Sequence, residues 1–165
     1  MPELRTKRIL LRPVRAEDAV PLHAIFSDAE TMRYWSTPPH TDPAQTDGFV
    51  AAMMGIDPDT GVEFAVEHEG RVIGKAGLWN CPEIGFIFHR DTWGKGLAKE
   101  AVSALMAYAF ETYALDAITA DVDPRNDRSL RLLAKLGFEE THRAERTIQV
   151  GDEWCDSVYL SCPAP

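Results

Sequence analysis

A glycine-rich segment at residues 93–98, WGKGLA, lies between a predicted strand at about 83–89 and a long amphipathic helix at about 97–113. A strand, a glycine turn and a helix start in this order point several backbone N–H groups at one spot, and the helix dipole adds positive potential there. Such a spot binds phosphate groups. The segment therefore predicts a fold that mixes strands and helices, and a ligand that carries phosphate.

Two well-known phosphate loops do not fit this segment. A Walker loop has the pattern Gly-x-x-x-x-Gly-Lys-Ser/Thr, whereas Lys95 lies between two glycines and has no glycine at the required upstream position. A dinucleotide-binding loop needs a third glycine three residues after Gly96, where this chain has Lys99. A plain strand-to-helix turn, in which Gly94 and Gly96 supply only backbone freedom, is the alternative interpretation.

The same residues resemble the pyrophosphate loop of the GNAT acetyltransferases, Gln/Arg-x-x-Gly-x-Gly/Ala. Gly96 and Ala98 match that pattern, while Trp93 departs from the usual Gln or Arg and is common in the RimJ/RimL-like branch. Residues 122–138 resemble the second half of the GNAT core, with an Asn loop, a short helix and a Leu-Gly-Phe turn. Because the resemblance extends from about residue 4 to about residue 160, the chain is identified as a member of this family, in the ribosomal-protein N-terminal acetyltransferase branch.

The resemblance implies a fold and an activity. The expected fold is the GNAT acyl-CoA N-acyltransferase fold, a mixed α/β (α+β) architecture whose central sheet is splayed and flanked by helices, in one domain at 1–165. The expected activity is transfer of an acetyl group from acetyl-CoA to a primary amine, by direct attack in a ternary complex. The amine belongs to a protein N-terminus or to a small molecule. A non-catalytic acyl-CoA sensor and a protein that keeps only the fold are the alternatives.

The resemblance also assigns residues to acetyl-CoA. The backbone N–H groups at 94–99 are expected to hold the pyrophosphate, and the main chain at 86–88 the pantetheine arm. Asn126 and Ser129 are expected to face the same arm, although Asn126 is also a good helix cap. The full predicted set for the cosubstrate comprises Phe86, Ile87, Phe88, Trp93, Gly94, Lys95, Gly96, Leu97, Ala98, Lys99, Asn126 and Ser129.

Two residues are candidates for catalysis, and four for binding the acceptor. Glu83 is the candidate base, since the related strand often carries a carboxylate that takes the amine proton, and burial raises the pKa of such a group. An ordinary exposed strand-end residue is the alternative for Glu83. Ser129 is the candidate hydrogen-bond donor to the departing sulfur. The predicted acceptor-binding residues, which include two aromatic side chains before a Pro-Pro turn, are Tyr34, Trp35, His40 and Asn80.

Composition limits the remaining function classes. The net charge of −9 argues against sequence-independent nucleic-acid binding. No apolar run approaches the roughly 18 residues of a membrane helix, and no signal peptide is visible, so we expect a cytoplasmic protein without a membrane partner. The three cysteines and five histidines show no metal-ligand spacing, so no metal is predicted. The family resemblance implies a monomer or a homodimer.

Hydrophobic periodicity and turn residues predict the remaining elements. Helices are predicted at about 17–28, 43–55, 97–113 and 126–136. Strands are predicted at about 4–14, 61–68, 71–79, 83–89, 116–122, 138–150 and 153–161. Glu69-Gly70 and Gly151-Asp152 are predicted to be hairpin turns.

Overall fold

A computed structural model describes all 165 residues, with eight strands and four α-helices. The helices are α1 (Ala19–Phe26), α2 (Pro43–Met54), α3 (Leu97–Tyr113) and α4 (Asp127–Lys135). The strands are β1 (Leu4–Arg5), β2 (Ile9–Pro13), β3 (Val62–His68), β4 (Arg71–Asn80), β5 (Glu83–Phe88), β6 (Ala117–Val122), β7 (Glu139–Val150) and β8 (Glu153–Pro163). None of the helices is both long and apolar enough to cross a bilayer.

All eight strands form one sheet in the order β1-β2-β3-β4-β5-β6-β8-β7, and only β5 and β6 are parallel neighbours. Their pairing is limited to Glu83 opposite Thr119, beside a hydrogen bond of 3.0 Å from the Thr119 N–H to the Pro82 carbonyl. Beyond this point the two strands separate. The sheet is therefore splayed next to the strand that precedes the glycine loop, as the sequence predicts.

The two faces of the sheet carry separate hydrophobic cores, because successive strand side chains point to opposite faces. The larger core contains 24 buried residues, among them Leu78 of β4 and Leu105 of α3. The smaller core contains 11 buried residues, among them Phe26 of α1 and Met53 of α2. Lys75 belongs to the face of the smaller core, since its register partner Ala65 lies there.

Both predicted hairpin turns and nearly all predicted elements are confirmed, with ends that differ by at most about two residues. The prediction of one strand at 4–14 is wrong, because the chain breaks into β1 and β2. The Glu100 side chain of α3 accepts hydrogen bonds from the Thr6 hydroxyl (2.6 Å) and the Arg8 N–H (2.7 Å), which draws the intervening turn toward α3. The first helix begins as a 3-10 turn at Ala16–Asp18 and ends at Phe26.

Candidate active site

The glycine loop presents a row of backbone N–H groups without protein acceptors. Gly94 and Gly96 have φ angles of 74° and 75°, in the left-handed region that favours glycine. No N–H group from Gly94 to Lys99 donates to a protein acceptor, whereas the next one, that of Glu100, bonds to the Gly96 carbonyl. These groups stand at the start of the 17-residue helix α3, where its dipole also favours an anion.

The far side of the loop is held by the turn between β1 and β2. Arg8 donates to the Lys95 carbonyl at 2.9 Å and to the Glu100 carboxylate at 2.7 Å. Hydrogen bonds from Thr6 and from Arg8 lower the pKa of Glu100 to about 2. The ring nitrogen of Trp93 donates to the Phe88 carbonyl at 3.0 Å. The loop is therefore fixed at both ends by contacts outside its own sequence.

A cavity of about 620 Å³ lies beside the second half of β5, where β5 no longer pairs with β6, and we call it the wedge cavity. Its lining joins Phe86–Phe88, the glycine loop and the first two turns of α4. Ten of the twelve predicted cosubstrate residues line it. Lys95 and Leu97 do not, because Lys95 is held through its carbonyl by Arg8 and the Leu97 side chain is buried in the larger core.

The wedge cavity is rich in positive charge, although the chain carries a net charge of −9. Its lining contains two carboxylates, Glu30 and Asp127, and six cationic residues, which are Arg33, Lys99, Arg125, Arg128, Arg131 and Lys135. Five of the cations form no ion pair within the chain: Arg33, Lys99, Arg128, Arg131 and Lys135. The three on α4 are spaced i, i+3 and i+7, which places them on one helix face. This spacing is readable in the sequence, but it was not among the predicted site features.

The start of α4 is ordered by the residues that precede it. The Asn126 side chain caps the helix by accepting the Ser129 N–H at 3.2 Å, and both residues line the wedge cavity. Arg125 forms ion pairs of 2.7 Å with Asp123 and Glu153, and its guanidinium lies 5.3 Å from the centre of the Tyr34 ring. Arg125 thus connects the α4 loop with the β7–β8 hairpin and with the loop that carries Tyr34.

A second cavity of about 490 Å³, which we call the acidic cavity, adjoins the first. Arg33, Tyr34 and Trp35 line both cavities. Aromatic rings of Tyr34, Trp35, Phe49 and Trp79 stand around the acidic cavity, together with one further cation, Lys75. Its five carboxylates, of which only Glu83 was predicted from the sequence, are Glu63, Glu83, Asp121, Asp123 and Asp156. The two cavities therefore carry opposite charge.

The structure puts the two candidate catalytic residues in different cavities. Glu83 lines the acidic cavity and Ser129 the wedge cavity. Burial raises the pKa of Glu83, and the negative charge of Asp121 raises it further. A raised pKa makes a carboxylate a better proton acceptor, although Glu83 is also exposed at the start of β5, as the alternative interpretation expects.

The predicted acceptor-binding residues divide into two groups. Tyr34 and Trp35 lie where the cavities meet, but His40 and Asn80 line neither cavity. The His40 ring is stacked on Phe26 at 5.2 Å and its Nδ1 lies 2.8 Å from the Thr46 hydroxyl, so its contacts belong to the α1–α2 side of the smaller core. Asn80 pairs with Glu83 at the turn between β4 and β5.

Comparison with known proteins agrees with this geometry. A family model described as "Acetyltransferase (GNAT) domain" matches residues 8–139. An uncharacterized N-acetyltransferase, p20, of Bacillus licheniformis is 33% identical over 149 residues, covering 85% of this chain and 84% of the relative. Spermidine N(1)-acetyltransferase of Escherichia coli is 30% identical over 143 residues (79% and 72%). The ribosomal protein uS5-alanine N-acetyltransferase of Escherichia coli is 31% identical over 110 residues (67% and 56%).

Solved structures show the same fold. The acetyltransferase (GNAT family) from Bacillus anthracis superimposes with a TM-score of 0.86 at 27% identity, over 98% of both chains. Spermidine N-acetyltransferase from Vibrio cholerae, solved in complex with CoA and spermine, gives a TM-score of 0.82 at 19% identity, over 96% of both chains.

Proposed function

The chain belongs to the GNAT acetyltransferase family and is an N-acetyltransferase, and we propose that it transfers the acetyl group of acetyl-CoA directly to a primary amine. The observation that carries this proposal is the charge contrast between two adjoining cavities. The wedge cavity combines unpaired cations with free backbone N–H groups, which suits the phosphates of coenzyme A. The acidic cavity combines carboxylates with aromatic rings, which suits an amine that arrives as a cation.

For the cosubstrate, we propose that the N–H groups at 94–99 bind the pyrophosphate and that the cations of α4 and Lys99 attract the remaining phosphate charge. The main chain of Phe86–Phe88 is suited to pair with the amide groups of the pantetheine arm, because the β6-facing edge of β5 has no partner strand beyond Glu83. One N–H group of this segment is the candidate donor to the carbonyl oxygen as that oxygen becomes negative.

For the chemical step, we propose that Glu83 removes a proton from the amine, directly or through water, so that neutral nitrogen attacks the thioester. Its raised pKa supports this role, and so does its location in the acidic cavity, which we propose to receive the acceptor. Ser129 is proposed to donate a hydrogen bond to the departing sulfur from the opposite cavity. A candidate base and a candidate hydrogen-bond donor in adjoining cavities fit direct transfer in a ternary complex.

Two relatives are named for their acceptors, and these names indicate which class of amine this chain acetylates. One is named for the N(1) nitrogen of spermidine and the other for an alanine of ribosomal protein uS5, and each name gives an amine nitrogen as the acceptor. We propose the RimJ/RimL-like branch for this chain. The tryptophan at the first position of the glycine loop and the similarity to the ribosomal-protein enzyme support that choice.

The test is release of coenzyme A thiol from acetyl-CoA in the presence of a panel of small amines and of peptides with free N-termini. Glu83→Gln is expected to lower kcat by roughly 100-fold or more, which is the usual contribution of a positioned base. Glu145→Gln, at an exposed position of β7, is the matched control and is expected to keep wild-type rates.

Ser129→Ala is compared in the same assay with Ser103→Ala, at an exposed position of α3. We expect Ser129→Ala to lower kcat more than it changes the dissociation constant for coenzyme A. Tight coenzyme A binding without turnover of any amine would instead indicate an acyl-CoA sensor. Equal activity of Glu83→Gln and the wild type would refute the assigned base.

A further inference from the structure

An ion pair is buried in the floor of the acidic cavity. The Lys75 ammonium donates to the Glu63 carboxylate at 2.8 Å, and these residues are only 3% and 1% exposed. Burying two charges costs solvation free energy that their attraction recovers only when every hydrogen-bonding group is satisfied. Here one oxygen of Glu63 has no partner, and Lys75 uses one of its three N–H groups. Stability alone does not explain this pair.

The Lys75 ammonium lies close to β5, the strand that carries the candidate base Glu83. Its Nζ lies 5.2 Å from the centre of the Trp35 ring and 3.8 Å from the place where a Cβ on Gly85 would stand. Because Gly85 has no side chain, nothing on that residue separates the ammonium from β5. Glu83 lies two residues away on the same face of β5, about 7 Å along the strand. The cavity floor thus has a proton acceptor at one end and a hydrogen-bond donor at the other.

The remaining carboxylates of the cavity are mostly engaged by other groups of the protein. Glu63 is paired with Lys75, Asp123 is paired with Arg125, and Asp156 accepts the backbone N–H of Arg146 at 2.8 Å. Glu83 and Asp121 form no such ion pair or side-chain hydrogen bond and are coupled to each other electrostatically. The cavity therefore keeps its free negative charge at one place, which suits one ammonium group.

We propose that Lys75 determines acceptor specificity by donating a hydrogen bond to a carbonyl oxygen next to the reacting amine. The acceptor is then an α-amino carbonyl compound, such as a peptide N-terminus or an amino acid amide. In such a compound the nitrogen and the oxygen are about 3 Å apart, so with hydrogen bonds of about 2.9 Å at each end it joins groups up to about 9 Å apart. That reach is comparable with the spacing of about 7 Å between Glu83 and Gly85, the residue that the Lys75 ammonium approaches. A polyamine offers Lys75 no acceptor atom and brings a like charge toward it.

This inference rests on the proposed acetyl transfer, and its test is a comparison of acceptors on the full chain. The acceptors are alaninamide, a tripeptide with N-terminal alanine, isopropylamine and spermidine, and the readout is kcat/KM from thiol release. Because a neighbouring carbonyl lowers the pKa of an amine, each kcat/KM is calculated for the neutral form of the amine. On that basis the wild type is expected to prefer alaninamide and the tripeptide over isopropylamine and spermidine by roughly ten- to a hundredfold, as for a hydrogen bond to a charged donor.

A double variant, Lys75→Met with Glu63→Gln, removes the ammonium without leaving a buried carboxylate unpaired. We expect it to lower the preference for alaninamide over isopropylamine about tenfold or more, mainly through the KM of alaninamide. Lys7→Met, at an exposed residue of the β1–β2 turn, is expected to keep the preference. Thermal unfolding and coenzyme A binding check that the double variant folds, and absence of the preference in the wild type would overturn the role of Lys75 even where it does not.

The outcomes separate the two proposals. Turnover of isopropylamine or spermidine as efficiently as alaninamide would overturn the role of Lys75 while leaving acetyl transfer intact. An equal loss for both acceptors in the double variant, with the preference unchanged, would also overturn it. Absence of turnover with every amine would refute the proposed acetyl transfer and this inference together.

Discussion

Gly94→Ala tests whether the glycine loop binds phosphate or is only a turn. Gly94 has a φ of 74°, and a Cβ at this position meets no protein atom within 4 Å. An L-residue in the left-handed region costs roughly 1–2 kcal/mol, and the lower entropy of the unfolded alanine chain offsets about half of that. The expected loss of unfolding free energy is therefore about 1 kcal/mol, or about 2–4 °C in Tm for a chain of this size.

The fold supplies a matched control in the β3–β4 hairpin turn. Gly70 has the same φ of 74° and also has no atom within 4 Å of its Cβ position, but it lies outside both cavities. Gly70→Ala is therefore expected to lose the same stability as Gly94→Ala. Only Gly94 lines the wedge cavity, so only the Cβ of Gly94→Ala is expected to displace a phosphate from the N–H groups of the loop.

The assay is the KM for acetyl-CoA from thiol release, with thermal unfolding of both variants. Weakening one hydrogen bond to a charged phosphate is expected to raise the KM of Gly94→Ala by roughly tenfold or more. Gly70→Ala is expected to keep the wild-type KM. If both variants lose stability and both keep the wild-type KM, the loop is a strand-to-helix turn, and binding of the pyrophosphate there is refuted.

Four further substitutions test the charges of the two cavities and of the Glu100 carboxylate. Asp121→Asn should move the acidic limb of the kcat/KM–pH profile to lower pH, because the Asp121 charge raises the pKa of Glu83 and a base acts only when ionised. An unchanged acidic limb would argue against Glu83 as the base. Arg131→Ala and Lys135→Ala should each raise the KM for acetyl-CoA about two- to fivefold at low salt and less at high salt, as expected for exposed charges. A change in KM that is independent of salt would contradict attraction of the coenzyme A phosphates by these side chains. Glu100→Gln should cost about 1–2 kcal/mol at pH 7 by urea unfolding, a value reduced for the partial exposure of Glu100. The pKa of Glu100 is lowered to about 2 in the folded chain, so the wild type loses this stability as pH falls from about 5 to about 2, and the variant does not. If the unfolding free energies of both proteins fall in parallel with pH, the lowered pKa of Glu100 is contradicted.

The fold was largely predictable because its signals are local. The helix at 97–113 has its predicted ends, since the glycine loop and the periodic apolar residues mark its start and its buried face. The strand at 4–14 was mispredicted, because its interruption depends on Glu100, more than 90 residues away in the sequence. A contact between distant residues leaves no local pattern from which the break can be derived.

The lining of the candidate site could be predicted where the glycine loop forms it, and less so where side chains from several elements converge. Gly94 and Gly96 reveal a backbone conformation, which a short motif encodes directly. Lys75 and Glu63 alternate with apolar residues in β4 and β3, and such alternation predicts a solvent-facing side of a strand. That side is instead closed by α1, α2 and the loop with Trp35, which turns two ordinary polar positions into a buried ion pair. The acceptor recognition that we propose for Lys75 therefore depends on tertiary packing, and these residues are where enzymes sharing this glycine loop are expected to differ in substrate.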